Sequence, residues 1–177
     1  MAEITLVTGG CRSGKSRYAQ VRAEALADKR TFVATCPPVD AEMEERIRRH
    51  RQERQGHGWE TIEEPVALAQ VLRTAPPGTL LVDCLTMWVG NLLHAAEEAG
   101  HILVEDEVAQ RSAELLEICQ SQQGRVFFVT NEVGMGIVPD NAVARHFRDL
   151  LGRCNQVIAA GADEVVLLVS GIAMRVK

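Results

Sequence analysis

The sequence has 177 residues, 46% of them hydrophobic and 24% charged, so we expect one compact domain spanning residues 1–177 and exclude a disordered chain. Its formal net charge is −5, which argues against a general binder of nucleic acid or of an anionic membrane surface. Aromatic residues make up only 4%, so the core must be aliphatic, and the stacking platforms of single-strand nucleic-acid binders are poorly supplied.

Short β-branched runs alternate with longer helical patterns along the chain, which is typical of parallel strands joined by crossover helices. In chain order, the pattern predicts a strand at 4–8, a helix at 15–27, a strand at 31–35, helices at 41–54 and 66–73, a strand at 79–83, helices at 85–96 and 104–122, a strand at 126–131, a helix at 141–160 and a strand at 165–170. Most of these strands are continuous apolar runs, as expected when helices cover both faces of a sheet. We therefore expect an α/β fold with a mostly parallel sheet flanked by helices.

A glycine-rich segment follows the first predicted strand and leads into a predicted helix. It fits the GxxxxGK[ST] pattern in full and consists of Gly9, Gly10, Cys11, Arg12, Ser13, Gly14, Lys15 and Ser16. Glycines let backbone N–H groups close around phosphate oxygens, and a helix N-terminus favours anions. Lys15 would reach the β and γ phosphates, and the Ser16 hydroxyl would ligate Mg²⁺. The flanking strand and helix favour this phosphate loop over a chance glycine-rich turn.

A second metal contact is predicted at Asp83, which ends the buried strand at 79–83. A carboxylate at the C-terminal end of a parallel strand faces the crevice where α/β proteins bind ligands. The alternative is that Asp83 caps the helix that follows. The phosphate loop favours the metal-side role.

The predicted helix at 41–54 carries acidic residues first and arginines later, an order that complements the helix dipole. His50 shares a face with Ile47, so we expect its imidazole to point toward the protein. Nearby arginines disfavour the protonated imidazole, which leaves a ring nitrogen free to act as a nucleophile. The same arginines could bind a triphosphate. On composition alone, the favoured alternative is a solvated charged helix with a passive histidine.

Together these segments resemble one family, the bifunctional adenosylcobinamide kinases and adenosylcobinamide-phosphate guanylyltransferases of cobalamin biosynthesis. The resemblance covers essentially the whole chain, and its longest match is Thr130-Asn131-Glu132-Val133-Gly134-Met135-Gly136-Ile137-Val138-Pro139. A generic phosphate-loop protein would not share that series. The family pattern usually has Ala where Cys11 stands, and often Ala or Ser where Cys36 stands.

The resemblance implies a RecA-like sheet, a homotrimer, Mg²⁺ as cofactor and two reactions. In the first, ATP or GTP donates its γ-phosphoryl group to adenosylcobinamide. In the second, GTP guanylylates a histidine, and the GMP passes to adenosylcobinamide phosphate to give adenosylcobinamide-GDP. The family's guanylylated histidine falls on His50, and Lys15 is the second catalytic residue.

Family nucleotide contacts carry over by resemblance to Gly9, Gly10, Cys11, Arg12, Ser13, Gly14, Lys15, Ser16, Ala34, Thr35, Cys36, Arg51, Gln52, Glu53, Arg54, Glu63 and Asp83. A carboxylate such as Glu63 could accept hydrogen bonds from guanine N1 and N2. Because a phosphate loop presents the γ-phosphorus whereas His50 must reach the α-phosphorus, we expect the helix at 41–54 to move when GTP binds.

Several alternatives stay open at this point. The segment 132–139 can contact the corrinoid, contact another subunit or form a structural turn. A small-molecule kinase without guanylyl transfer and a nucleotide-driven switch are rival functions. The nucleotide preferred in the kinase step and the base that takes the hydroxyl proton are also open.

The sequence predicts neither a membrane span nor an export signal. Its longest wholly aliphatic run, 165–169, is far shorter than the roughly 20 residues that cross a bilayer. The N-terminus lacks the charged-then-apolar layout of a signal peptide, so we expect a cytoplasmic protein. The five cysteines are scattered and include no CxxC pair, which favours reduced and mostly buried thiols over a zinc site.

Overall fold

The computed structural model describes residues 1–26, 29–37 and 41–177, with the backbone alone at 41–43, 46 and 53. The strands are β1 (Glu3–Gly9), β2 (Arg30–Ala34), β3 (Trp59–Glu63), β4 (Gly78–Asp83), β5 (Gly124–Val129), β6 (Glu164–Val169) and β7 (Ile172–Arg175). The helices are α1 (Lys15–Glu24), α2 (Ala41–Arg54), α3 (Leu68–Thr74), α4 (Leu85–Glu98), α5 (Glu105–Ser121) and α6 (Ala142–Gly161), and a 3₁₀ turn covers Val133–Met135.

The strands form one seven-stranded sheet in the order β3-β2-β4-β5-β1-β6-β7. Strands β1 to β6 run parallel, and β7 pairs with β6 in the antiparallel sense. The predicted mostly parallel sheet is thereby confirmed. Because β5 lies between β1 and β4, the carboxyl ends of these three parallel strands lie side by side.

Two strands were not predicted, and both lie at the edges of the sheet. Strand β3 is half-exposed along its length, and β7 is exposed at every residue. Neither carries the continuous apolar run that marks a buried parallel strand. The predicted helix at 15–27 ends at Glu24 as α1, and its last predicted residue, 27, lies outside the described residues.

Helices cover both faces of the sheet, and the sheet separates the hydrophobic core into two parts. On one face, Ala19 and Ala23 of α1 pack against strand residues that include Val7, Phe32 and Leu81. The other face is covered by α3 to α6, which bury large aliphatic side chains such as Leu85, Leu115, Leu150, Leu151 and Ile158. The small alanines let α1 lie close to the sheet, and the short connection 10–14 keeps its N-terminus near the end of β1. Of the helices in the described ranges, none has the length and apolarity needed to cross a bilayer.

Candidate active site

The phosphate-loop segment connects the end of β1 to the start of α1. The turn inside it is closed by the Ser13 N–H, which donates to the Gly10 carbonyl at 3.3 Å. Lys15 is buried, and its Nζ donates to the Gly10 carbonyl and to Asn131 Oδ1, each at 2.7 Å. The lysine is thus held between its own loop and the residue that follows β5.

The turn between β6 and β7 contacts the phosphate loop and supports it. The sequence did not predict this contact. The Gly171 N–H donates to the Ser13 carbonyl at 2.9 Å. A Cβ built on Gly14 would lie 3.5 Å from the Gly171 Cα, so the two backbones are in close approach. The edge hairpin therefore helps to fix the conformation of the loop.

The ends of β2 and β4 are fastened to each other beside the loop. The Thr35 hydroxyl donates to the Cys84 carbonyl at 2.8 Å and accepts from the Cys84 N–H at 2.7 Å. Asn91 Nδ2 donates to the Thr35 carbonyl at 2.7 Å. Thr35 is also fully buried. Ala34 and Cys36, its neighbours on either side, are the residues of this segment that border open space.

Cys84 follows Asp83 directly, but its thiol is a poor nucleophile. Burial, together with the neighbouring Asp83 carboxylate, raises the pKa of Cys84 to about 12. At neutral pH the thiol is therefore protonated, and the thiolate is the reactive form.

Two cavities open beside the phosphate loop, and His50 lies on the wall of both. The larger cleft has a volume of about 820 Å³ and runs between α1 and α2, bordered by Arg12, Ser13, Gly14, Lys15, Ser16, Arg17, Gln20, Val21, Glu24, Glu45, Arg49, His50 and His57. The smaller pocket has a volume of about 160 Å³ and is bordered by Ser16, Phe32, Ala34, Cys36, Ile47, His50, Arg51, Arg54, Asp83, Cys84, Thr86, Met87 and Asn131. His50 and Ser16 are the two residues that border both. The larger cleft is within the size range of nucleotide and cofactor sites.

The arginines of α2 are fixed in different ways. The Arg54 guanidinium is buried and lies 3.5 Å above the centre of the Phe32 ring, a cation–π contact that attaches the end of α2 to β2. Arg51 forms an ion pair with Glu63, at the end of β3. The Glu63 carboxylate therefore faces an arginine.

Gln52 and Glu53 stand apart from the other predicted contacts on α2. Gln52 is exposed and borders neither cavity. The side chain of Glu53 lies outside the described part of the structure.

Glu24 also borders the larger cleft. The sequence did not predict a role for it. Its carboxylate accepts from Trp59 Nε1 at 2.8 Å and from Gln20 Nε2 at 2.9 Å, and it lies 3.2 Å from His57 Nδ1. Burial alone would raise the pKa of Glu24, but the hydrogen bonds from Trp59 and Gln20 and the nearby His57 outweigh it and lower the pKa. Glu24 thus joins α1 to β3 across the cleft.

Two oxygen-bearing side chains that suit Mg²⁺, the hydroxyl of Ser16 and the carboxylate of Asp83, border the smaller pocket together. Over the ranges that the structure describes, no group of three or more His, Cys, Asp or Glu side chains forms a metal site. A cation held by Ser16 and Asp83 would complete its coordination with oxygens of a bound nucleotide and water, as is usual for Mg²⁺.

Comparison with known proteins gives matches over nearly the whole chain. A family model described as cobinamide kinase / cobinamide phosphate guanyltransferase matches residues 5–176. The chain is 44% identical to the bifunctional adenosylcobalamin biosynthesis protein CobU of Salmonella typhimurium, over 98% of this chain and 99% of the relative. The protein of the same name from Escherichia coli is 42% identical over the same shares of the two chains. The bifunctional adenosylcobalamin biosynthesis protein CobP of Pseudomonas aeruginosa is 40% identical over 97% and 96%.

Among solved structures, an ATPase from the type III secretion system of pathogenic bacteria superposes with a TM-score of 0.58 at 14% sequence identity. The match takes in 94% of this chain and 51% of the ATPase, so the chain spans about half of that protein. At this identity the likeness concerns the fold alone, and it confirms the RecA-like phosphate-loop architecture.

Proposed function

The chain belongs to the cobinamide kinase / cobinamide phosphate guanyltransferase family, and on that premise we propose that both reactions use the cleft at the phosphate loop, with His50 as the nucleophile of the second. The protein is a bifunctional enzyme of adenosylcobalamin biosynthesis. The observation that carries the proposal is that His50 and the phosphate loop border the same cleft.

In the kinase step, the oxygen of the acceptor hydroxyl forms a bond to the γ-phosphorus of ATP or GTP. The bond from that phosphorus to the β–γ bridging oxygen breaks, and the nucleoside diphosphate keeps the electron pair. Lys15 binds the β and γ phosphates, and the backbone N–H groups of 9–14 surround them. Adenosylcobinamide is the acceptor that we propose.

In the guanylyl step, a ring nitrogen of His50 attacks the α-phosphorus of GTP and pyrophosphate leaves. The phosphate oxygen of adenosylcobinamide phosphate then displaces His50 from the same phosphorus, which gives adenosylcobinamide-GDP. Covalent catalysis of this kind divides one difficult transfer into two displacements. The position of His50 on the wall of both cavities supports this role, since one of them is the cleft that the phosphate loop borders.

Ser16 and Asp83 are the residues that would hold Mg²⁺. The ion would supply charge neutralisation at the phosphate oxygens in both reactions. The shared position of the two side chains on the wall of the smaller pocket supports this assignment.

The remaining nucleotide contacts that we propose come from three segments. They are Ala34, Thr35 and Cys36 at the end of β2, Arg51, Gln52, Glu53 and Arg54 on α2, and Glu63 at the end of β3. Thr35 is fully buried, and its hydroxyl, N–H and carbonyl are already hydrogen-bonded within the protein. It would therefore act by fixing its neighbours Ala34 and Cys36. Glu63 would recognise guanine only after leaving its ion pair with Arg51.

We also propose that the enzyme is a cytoplasmic homotrimer. All five cysteines are free thiols, as is usual in a reducing compartment. The segment 132–139 exposes Met135 at 79% and Ile137 at 97%, so it has apolar surface for a neighbouring subunit or for the corrinoid. Light scattering coupled to gel filtration measures the mass directly, and a stable monomer would contradict the trimer.

Incubation with GTP labelled at the α-phosphate tests the guanylyl step. We expect acid-labile, base-stable label on the wild-type protein and none on His50→Ala. The matched control is His94→Ala, because His94 is 72% exposed on α4 and borders neither cavity. This variant should label like the wild type.

The outcome separates the rival functions. A wild-type protein that phosphorylates the acceptor but takes up no label would be a kinase without guanylyl transfer. Nucleotide hydrolysis with neither product would indicate a nucleotide-driven switch, and equal labelling of His50→Ala and wild type would remove His50 from the mechanism.

A further inference from the structure

Asn131 lies two residues beyond the end of β5, and its backbone is hydrogen-bonded on both sides. Its N–H donates to Thr86 Oγ1 at 2.9 Å, and its carbonyl accepts from Asn155 Nδ2 at 2.9 Å. Asn155 is itself buried and accepts from Thr130 Oγ1 at 2.7 Å. The position of Asn131 is therefore set by α4 and α6 as well as by its own strand.

The side-chain amide of Asn131 has one orientation that its surroundings allow. Its Oδ1 accepts a hydrogen bond from Lys15 Nζ at 2.7 Å. An ammonium group can only donate, so the oxygen of the amide must face Lys15 and the NH₂ group must face away from it. Two N–H donors are thus aimed elsewhere.

The cavity beside this amide is the smaller pocket. Asn131 borders it together with Ser16, Asp83 and His50. Among the residues that the structure describes, Lys15 alone forms a hydrogen bond with the Asn131 side chain. A rigidly placed NH₂ group beside the lysine of a phosphate loop is suited to a phosphate oxygen.

We propose that Asn131 is a catalytic residue of the kinase step, in which its Nδ2 donates to a non-bridging oxygen of the γ-phosphoryl group while its Oδ1 holds Lys15. This inference rests on the proposed function. The reaction is the displacement at the γ-phosphorus described above, and the proton of the acceptor hydroxyl passes to solvent.

The same contact should have different effects on the two reactions. In the kinase step the γ-phosphoryl group is the group transferred, so a donor that aligns it lowers the activation barrier of the transfer. In the guanylyl step that group travels unchanged within the leaving pyrophosphate, and new charge develops nearer the α–β bridge. A contact of equal strength in the ground and transition states affects binding and not turnover.

Two substitutions of Asn131 test this difference in the full-length protein. Asn131→Ala removes the whole amide, and Asn131→Asp keeps an acceptor for Lys15 but removes the donors. The matched controls are Asn141→Ala and Asn141→Asp, at the exposed N-cap of α6. Kinase turnover is measured with γ-labelled ATP and adenosylcobinamide, and guanylylation with α-labelled GTP, both at saturating nucleotide.

We expect kinase kcat to fall roughly 10- to 100-fold in both Asn131 variants. The rate of His50 guanylylation at saturating GTP should stay within about threefold of the wild type, with a raised KM for GTP. The Asn141 variants should match the wild type in both assays.

Three results would overturn the inference. The first is kinase kcat within about threefold of wild type in Asn131→Ala. The second is full kinase turnover in Asn131→Asp, because the residue would then serve only to hold Lys15. The third is an equal loss in both reactions, which would mark a structural role. A wild-type protein that lacks either activity would instead refute the proposed function.

Discussion

Gly9 ends β1 in a backbone conformation that residues other than glycine rarely adopt. Its φ is +148°, and a Cβ at this position would lie 2.4 Å from the Leu168 carbonyl oxygen and 2.9 Å from Ser13 Oγ. The first of these neighbours is backbone of β6, which is paired on both sides within the sheet and cannot move aside cheaply. The start of the phosphate loop therefore depends on the absence of a side chain here.

Gly9→Ala should lower the free energy of unfolding by about 2 kcal/mol and Tm by about 5 °C, because strain and a steric clash act together. The control is Gly10→Ala, since a Cβ on Gly10 meets nothing within 4 Å. Its free energy of unfolding should change by less than about 0.5 kcal/mol. Equal Tm values for the two variants, in thermal melts followed by circular dichroism, would show that the clash at Gly9 is relieved without cost.

At the scale of single residues, the sequence predicts which residues have a function. It predicts their contacts less well. The phosphate-loop pattern identifies Lys15, but its bond to Asn131 joins residues that are 116 positions apart. The link from Glu24 to Trp59 likewise spans 35 positions. Such partners depend on the order of strands in the sheet, which a local pattern does not contain.

Among the elements, the hairpin of β6 and β7 has a role beyond closing the sheet. Its turn places the Gly171 N–H on the Ser13 carbonyl of the phosphate loop. The conformation of the loop therefore depends on an edge strand that is itself exposed along its length.

Gly171→Ala should raise the KM for nucleotide at least roughly threefold, because strain at φ +84° displaces the N–H that supports the loop. Gly100→Ala is the matched control. Gly100 has φ +68°, and at both glycines a Cβ meets nothing within 4 Å.

We expect the two variants to lose similar stability, about 1 kcal/mol each. Nucleotide KM should be altered only in Gly171→Ala. If Gly100→Ala raised KM to the same extent, the effect would come from general loss of stability and the support of the loop by Gly171 would be refuted.

The elements that sequence reasoning found and those that it missed differ in burial. Strands such as β1 and β5 bury mostly apolar side chains and were predicted within a few residues. Strands β3 and β7 became strands through pairing at the sheet edges, with little burial of their own side chains. Edge pairing is a tertiary effect, so periodicity alone does not reveal it.

For the molecule as a whole, the alternation of strands and helices was enough to predict an α/β fold with a mostly parallel sheet. It did not contain the strand order, and the order decides the chemistry. Because β5 lies between β1 and β4, an asparagine at the end of β5 stands between the phosphate loop and Asp83.

The stability of the whole molecule should depend on Glu24 in acid. Folding lowers the pKa of this carboxyl, so below about pH 4.3, the ordinary pKa of glutamate, the unfolded chain binds more protons than the folded one. The stabilisation from Glu24 is therefore present at neutral pH and is lost as the pH falls through its folded pKa.

Denaturant unfolding between about pH 6 and pH 3 tests this dependence. In Glu24→Gln the loss of stability on acidification should be smaller than in the wild type, although not zero, because the pKa values of Glu45 and Glu107 are also lowered. The exposed Glu97 on α4 offers the control Glu97→Gln, which should follow the wild-type curve. Parallel curves for Glu24→Gln and wild type would contradict the assigned role.

The shared wall of the two cavities has a consequence for how such an enzyme can evolve. Ser16 and His50 border both the larger cleft and the smaller pocket, so a substitution at either one alters both spaces in a single step. A substitution selected for its effect on one reaction would then also change the rate of the other. Positions that border a single cavity, such as Arg49 on one side and Met87 on the other, are where lineages can diverge independently.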